Sequence, residues 1–338
     1  MTTTKDIARE LGISHSTVSR VLNSDSRFPV ASETRERVME AARRLNYRPN
    51  ALARSLQQGR TGTVGFYSGY GVLDLRIGFF AEILLGLQIA GADFNLDLLL
   101  HCFHHNSKLS AQQVRASQEL QLSRLHDGRV DGFIVCAQPE DFLVERLQKS
   151  ALPIVSVAEL FPQIPSVLAN DADGMKQLMS HLLEKGHRRF LFLAPEGRFS
   201  SARRRFQAFE TILAQSGGVS QSVWTLKVGT EAAALKRWSE MPTAERPSAI
   251  CCWNDTMAYN FLHEANAQGF KAPDDFALTG FDGFPDNWPD ATQQVCSVSC
   301  DWYEAGQSAM RLLHGRITGD DAPFQTILPT TLLRGDTA

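Results

Sequence analysis

An alternation that begins near Thr61 constrains the fold most. From there to Gly280, short apolar runs alternate with longer amphipathic stretches. Strands are expected at Thr63–Tyr67, Leu96–Cys102, Val130–Ala137 and Pro153–Val157, with helices at Ile77–Gly91, Ser110–His126 and Glu140–Ser150 between them. The cycle then repeats. Helices expected at Asp173–Lys185, Ser201–Gln215, Glu231–Met241 and Thr256–Gln268 alternate with strands expected at Phe190–Ala194, Val223–Val228, Ala249–Trp253 and Phe276–Gly280. Parallel strands need long crossovers, and the crossover helices cover both faces of the sheet. Two runs of this length predict two doubly wound parallel-sheet lobes with a cleft between them. Gln294–Ser299, Tyr303–Leu313 and Gln325–Leu333 fit crossings back between the lobes. Ligands on such sheets bind beyond the carboxyl ends of the strands. Four places satisfy that rule: Tyr67–Tyr70, Arg203-Arg204-Arg205, Asn254-Asp255 and Asp282.

The first sixty residues obey a different pattern. Thr4–Asn23 reads as two short helices broken at Leu11-Gly12-Ile13. Ile7, Ala8 and Leu11 mark one apolar face; Val18, Val21 and Leu22 mark the other. Gly12 supplies the positive backbone angle that a sharp inter-helix turn needs, and Ser14 is placed to cap the second helix. The outer face of that helix is short and hydrogen-bonding: His15, Ser16, Thr17, Ser19, Arg20. This is a helix-turn-helix pattern, whose second helix reads the major groove. A third helix is expected over Thr34–Leu45, with Val38, Ala41, Ala42 and Leu45 inward and Ser32 as the substitute cap beside Ala31. Pro49 stops any helix. Asn50 then opens a short helix, Ala51–Gln58, which Gly59 ends. Charge follows the same division. Residues 1–60 carry 11 Lys+Arg and 6 Asp+Glu, or +5. The remainder carries 23 and 31 of the totals of 34 and 37, or −8. A basic head on an acidic body means that the head alone meets phosphate.

The run T-K-D-I-A-R-E-L-G-I-S-H-S-T-V-S-R-V-L-N, then V-A-S-E-T-R-E-R-V, L-N-Y-R-P-N and A-R-S-L, resembles the head of a LacI/GalR-type transcriptional repressor in order and spacing. Gly186-His187-Arg188-Arg189 and Gly280-Phe281-Asp282-Gly283 are further landmarks of that family. The resemblance implies a small all-α helix-turn-helix domain followed by an α/β body of periplasmic-binding-protein type I architecture. It divides the chain into residues 1–48 (DNA-binding domain), 49–60 (hinge helix) and 61–338 (effector-binding and dimerisation domain). Within the body it implies an N-lobe of about 61–167 and 298–324 and a C-lobe of about 168–297 and 325–338. The partners implied are double-stranded operator DNA with an inverted repeat, a small-molecule effector and a second copy of the chain.

Residue by residue, the resemblance and the helix pattern place His15, Ser16 and Arg20 against base edges, and Thr17 and Ser19 against phosphate. Tyr47, Asn50, Ala53 and Leu56 complete the DNA-binding set, with Leu56 as an apolar wedge in the minor groove. The effector set is Tyr70, Arg76, Phe79, Ser156, Arg205, Asn254, Asp282 and Trp302. Carboxylate, amide and guanidinium suit a polyol, so the effector is expected to be a carbohydrate. Ser156 stands where sugar-binding members often carry an acid; Cys136 and Thr230 also depart from the sugar-contact pattern.

Other functions find little support. No G-x-S-x-G elbow, H-E-x-x-H or Walker loop is present, so no enzyme, cofactor or metal is expected. The six cysteines lack C-x-x-C spacing and read as buried thiols of a cytoplasmic protein. No apolar run reaches the length of a membrane span. The rival reading, a sugar-binding transport receptor, explains the body but leaves residues 1–60 without a purpose.

Overall fold

The computed structural model describes residues 2–22, 30–48, 55, 59–69, 78–100, 110–227, 229–284 and 293–338. The chain divides into two compact units, Met1–Thr61 and Gly62–Ala338.

In the first unit, α1 (Thr4–Leu11) begins with a capping box. Thr3 Oγ1 accepts from the Asp6 amide, and the Asp6 carboxylate accepts from the Thr3 amide. Gly12, at φ +63°, closes the helix in the left-handed conformation, as the turn requires. Helix α2 (His15–Leu22) is capped by Ser14, whose hydroxyl accepts from the Thr17 amide at 3.1 Å. Helix α3 (Ser32–Arg44) starts two residues before the expected Thr34, and Ala31 occupies its cap position without a side-chain hydrogen bond. The substitute cap expected of Ser32 does not form, because Ser32 is already the first helical residue. Ile7, Ala8, Val18, Val21, Val38, Ala41 and Ala42 form the buried core.

The second unit contains two parallel sheets. The larger has the order β2 (Asp97–Leu100), β1 (Thr63–Ser68), β3 (Gly132–Cys136), β4 (Ile154–Val157), β5 (Ser166–Ala169), β11 (Gln325–Leu328). The smaller has the order β7 (Ser220–Leu226), β6 (Arg189–Pro195), β8 (Ala249–Cys252), β9 (Ala277–Thr279). Every pairing within these two sheets is parallel. Strands β10 (Ser297–Cys300) and β12 (Thr330–Leu333) form a two-stranded antiparallel ribbon. The crossover helices of the first lobe are α4 (Gly78–Asp93), α5 (Ala111–Leu125) and α6 (Asp141–Gln148). Those of the second are α7 (Asp171–Glu184), α8 (Ser200–Ala214), α9 (Glu231–Ser239) and α10 (Asp255–Ala267). Helix α11 (Trp302–Thr318) returns to the first lobe and packs against α4. A Cβ on Gly86 would lie 2.0 Å from the Tyr303 carbonyl oxygen, and one on Gly306 would lie 2.2 Å from that of Ile83. Glycine at both positions therefore lets the two helix backbones approach.

Two expectations about the body need correction. Strand β5 was not anticipated. The expected lobe boundaries, at 167/168 and 324/325, also fall wrongly: β5 crosses the first, and β11 pairs with β5 as the edge of the larger sheet. The chain therefore leaves the first lobe after Ala169 and again after Leu328. Among the described residues, no helix is long and apolar enough to cross a membrane.

Candidate DNA-reading head and interlobe cleft

Helix α2 buries Val18 and Val21 and turns His15, Ser16 and Arg20 outward, where all three are exposed. The His15 ring nitrogen Nε2 lies 2.7 Å from Thr4 Oγ1, and the Ser16 hydroxyl lies 2.8 Å from that of Ser14. These bonds tie the first turn of α2 to the start of α1 and to its own cap. Thr17 and Ser19 are half-buried at the flanks. Tyr47 is also half-buried and packs on the core of the head. Asn50, Ala53 and Leu56 lie outside the described residues. Ser55 is helical; its carbonyl accepts from the Gly59 amide at 2.8 Å, and Gly59 has φ +68°. Gly59 thus adopts the left-handed geometry expected of a terminator.

In the body, Arg205 is the centre of an ion-pair cluster. It lies in the second turn of α8, only 3% exposed. Its Nε donates to Asp171 Oδ1 at 2.8 Å, Nη1 to the Trp253 carbonyl at 2.5 Å, and Nη2 to Asp282 Oδ1 at 3.2 Å. The guanidinium also lies 3.7 Å over the Phe281 ring. One side chain thus joins the start of α7, the end of β8 and the turn after β9. Arg204 shares Asp171, donating to Oδ2 at 2.7 Å. A buried guanidinium of this kind is tolerable only because each carboxylate and carbonyl around it is an acceptor.

Asp282 stands at φ +117°, followed by Gly283 at +82°. Its amide donates to the Val298 carbonyl, and its own carbonyl accepts from Trp302 Nε1. The turn is held from below by Asp255, whose buried carboxylate accepts from the amides of Gly283 and Phe284 and the hydroxyl of Ser297. Burial pushes Asp282 up to about 7, against the pull of Arg205. Burial pushes Asp255 up to about 6, against its three hydrogen bonds.

Asn254 caps α10, accepting from the Met257 amide at 3.0 Å, so its side-chain oxygen serves the helix. Trp302 is 2% exposed and meets the half-buried Phe79 edge to face at 4.7 Å. Trp302 thus supports the Asp282 turn from within the protein, through its Nε1 bond to the Asp282 carbonyl. Ser156 is fully buried inside β4, and its hydroxyl donates to the Pro165 carbonyl at 3.4 Å. It is not brought to Arg205 and Asp282, because it lies within the strand and not beyond its end. Tyr70 and Arg76 lie outside the described residues.

Beyond that strand end is a residue that sequence reasoning missed. Glu159 is 2% exposed and crosses to the opposite lobe, where it accepts from the amides and hydroxyls of Ser200 and Ser201 at the N-terminus of α8. Arg204 Nη2 reinforces the crossing with a bond to the Ala158 carbonyl at 3.0 Å. Burial raises the Glu159 carboxyl above its usual range, while the two serines and Arg204 oppose that rise. The positive end of the helix favours an anion here. The signal was available: Glu159 is the single charge in Ile154–Phe161, and a buried charge requires a partner. Two further bonds close the rim, from the Arg198 amide to Gln138 Oε1 at 3.1 Å and from the Arg198 guanidinium to Asp141. The aromatic pair Phe199 and Trp253, 4.7 Å apart, was also missed. Among the described residues, the buried Nε1 of Trp253 has no hydrogen-bond partner.

A helix-turn-helix head on a chain whose body is a two-lobed receptor defines the class of ligand-responsive DNA-binding regulators. Comparison narrows this. Residues 3–50 match the bacterial regulatory proteins of the lacI family, and residues 179–338 match a periplasmic binding protein-like domain. The catabolite control protein A of Priestia megaterium is 31% identical over 323 residues, covering 91% of this chain and 90% of that one. The HTH-type transcriptional repressor PurR of Mannheimia succiniciproducens is 29% identical over 338 residues, covering 97% and 95%. The chain belongs to the LacI family of bacterial transcriptional regulators, which are not enzymes. In fold, it is similar to the Lac repressor dimer bound to operator and the anti-inducer ONPF, with TM-score 0.79, 21% identity and coverage of 99% and 98%. It is also similar to the regulator CelR in complex with cellobiose, with TM-score 0.67, 24% identity and full coverage of both chains.

Proposed function

We propose that this regulator is a homodimeric repressor whose grip on an inverted-repeat operator is set by a carbohydrate bound between the two lobes. One observation carries the effector reading. Arg205 and Asp282 meet at 3.2 Å beyond the ends of β6 and β9, and the Asp282 side chain keeps 16% exposure. A guanidinium donor fork beside a carboxylate acceptor is the pairing that sugar hydroxyls satisfy. The CelR–cellobiose complex is a neighbour of the same fold. An effector acts only through its different affinity for two lobe arrangements. The Glu159 bridge is a contact that such a change would make or break.

A flat heteroaromatic effector is the second reading. The unpartnered Trp253 Nε1 beside Phe199 favours it, since a buried indole N–H usually finds an acceptor.

The test is gel retardation of the chain's own upstream DNA, with thermal shift against panels of sugars and nucleobases. A sugar that both stabilises the protein and changes retardation supports the first reading; a nucleobase with those effects supports the second. Arg20→Ala should weaken specific DNA binding by roughly tenfold or more, as loss of one bidentate base contact of about 1–3 kcal/mol implies, and leave the thermal shift intact. Equal loss of both would overturn that division of roles.

A further inference from the structure

We propose that the groove between α7 and α8 is a second small-molecule site, separate from the cleft at Asp282, that takes an amphipathic carboxylate. The groove encloses about 710 Å³, within the roughly 300–1,000 Å³ of small-molecule sites. It is built by both lobes. Leu183 and Ile212 of the second lobe face it, and Leu168 and Ile327 of the first lobe close it. Ile327 lies on the edge strand β11 and is 55% exposed, an apolar surface that the body of a ligand would cover.

The charge of the groove selects an anion. Lys176 and Arg204 both line it. Lys176 is exposed and, among the described residues, pairs with no carboxylate. Arg204 donates once from Nη1, to Ser200, and once from Nη2, to Ala158. Each of those nitrogens carries a second N–H. The sole carboxylate among the described lining residues is Asp171, and its two oxygens already accept from Arg204 and Arg205. An incoming carboxylate therefore meets two cations and no unneutralised anion. The same Asp171 connects the groove to the cleft: Arg204 lies on the groove side of it, and Arg205 reaches Asp282 on the other. Asp171 thus touches both sites, through Arg204 at Oδ2 and Arg205 at Oδ1.

Three isosteric probes test the assignment on the full chain by titration calorimetry: 4-phenylbutanoate, 4-phenylbutan-1-ol and 4-phenylbutylamine. The carboxylate should bind at least fivefold more tightly than the alcohol, and the amine should not bind. Lys176→Glu, an exposed substitution that leaves the core untouched, should abolish carboxylate binding. Ala208→Trp, which fills the groove, should do the same. Equal binding of carboxylate and amine, or carboxylate binding that survives Lys176→Glu, would overturn the proposal. So would binding that disappears in Asp282→Asn and persists in Lys176→Glu, which would put the probe in the cleft. None of these outcomes depends on whether the cleft takes a sugar.

Discussion

Asp171 accepts from two guanidinia, and one of them, on Arg205, is 3% exposed. Removing that carboxylate leaves a buried cation with a single remaining carboxylate at 3.2 Å. Asp171→Ala should therefore cost about 3–5 kcal/mol, read as a lower urea midpoint. Alanine at Arg203, which is exposed on the same helix, should change stability by less than about 0.5 kcal/mol. The pH response at Asp282 has the opposite sign to that of an ordinary ion-paired aspartate. Its carboxyl is raised from 3.8 to about 7, so the folded chain holds this proton more tightly than the unfolded one. Its contribution to stability is complete below about 3.8 and is lost as pH rises through about 7. Compared with wild type, Asp282→Asn should gain in relative stability from pH 4 to 7 and stay level above that; a constant difference across the range would refute the assignment. The strand-end rule marks Asp282 and the run Arg203-Arg204-Arg205, and only the family resemblance picks Arg205 out of that run. Asp171 carried no such signal, because its importance comes from Arg205, 34 positions away in sequence; Glu159 carried one as a lone charge in an apolar run, but not the identity of its partners 41 and 42 positions away.

At the scale of elements, periodicity did most of the work and failed where segments were too short to show it. Strand β5 has four residues between Pro165 and Asn170, and only its pairing with β4 and β11 makes it a strand. The segment Gln325–Leu333 reads as one piece, yet it splits at Pro329 into β11 and β12, which join different sheets. Proline cannot donate to a ladder, so that break was legible and went unread. The crossing of α4 and α11 was not legible at all, since a glycine inside a helix says nothing about which backbone approaches it. Gly306→Ala would drive a Cβ to 2.2 Å from the Ile83 carbonyl. Helix separation of that kind should cost about 1–3 kcal/mol, measured by denaturant unfolding. Gly217→Ala, with nothing within 4 Å of the added Cβ, is the control and should be close to neutral.

For the whole molecule, the decisive feature is what α4 leaves uncovered. One face of this helix buries Phe80, Ile83 and Leu87, with Gly86 against α11. Leu85 and Ile89, one turn apart, remain 46% and 44% exposed. A helix apolar on both sides normally has a second partner, and a copy of the same chain satisfies that need with a self-complementary patch. In the proposed dimer each head would read one half-site, and tethering two heads would turn the second binding event into an intramolecular one. Avidity of this kind is worth roughly 10²–10⁴-fold. The double variant Leu85→Glu, Ile89→Glu sets four like charges against each other across such an interface while leaving the buried face of α4 unchanged. It should sediment as a monomer, lose affinity for a full inverted repeat by roughly 10²-fold or more, and bind an isolated half-site as wild type does. Effector-induced thermal shifts should persist, since the cleft cluster lies wholly within one chain. A variant that remains dimeric and binds the full operator normally would mean that α4 does not form the subunit contact.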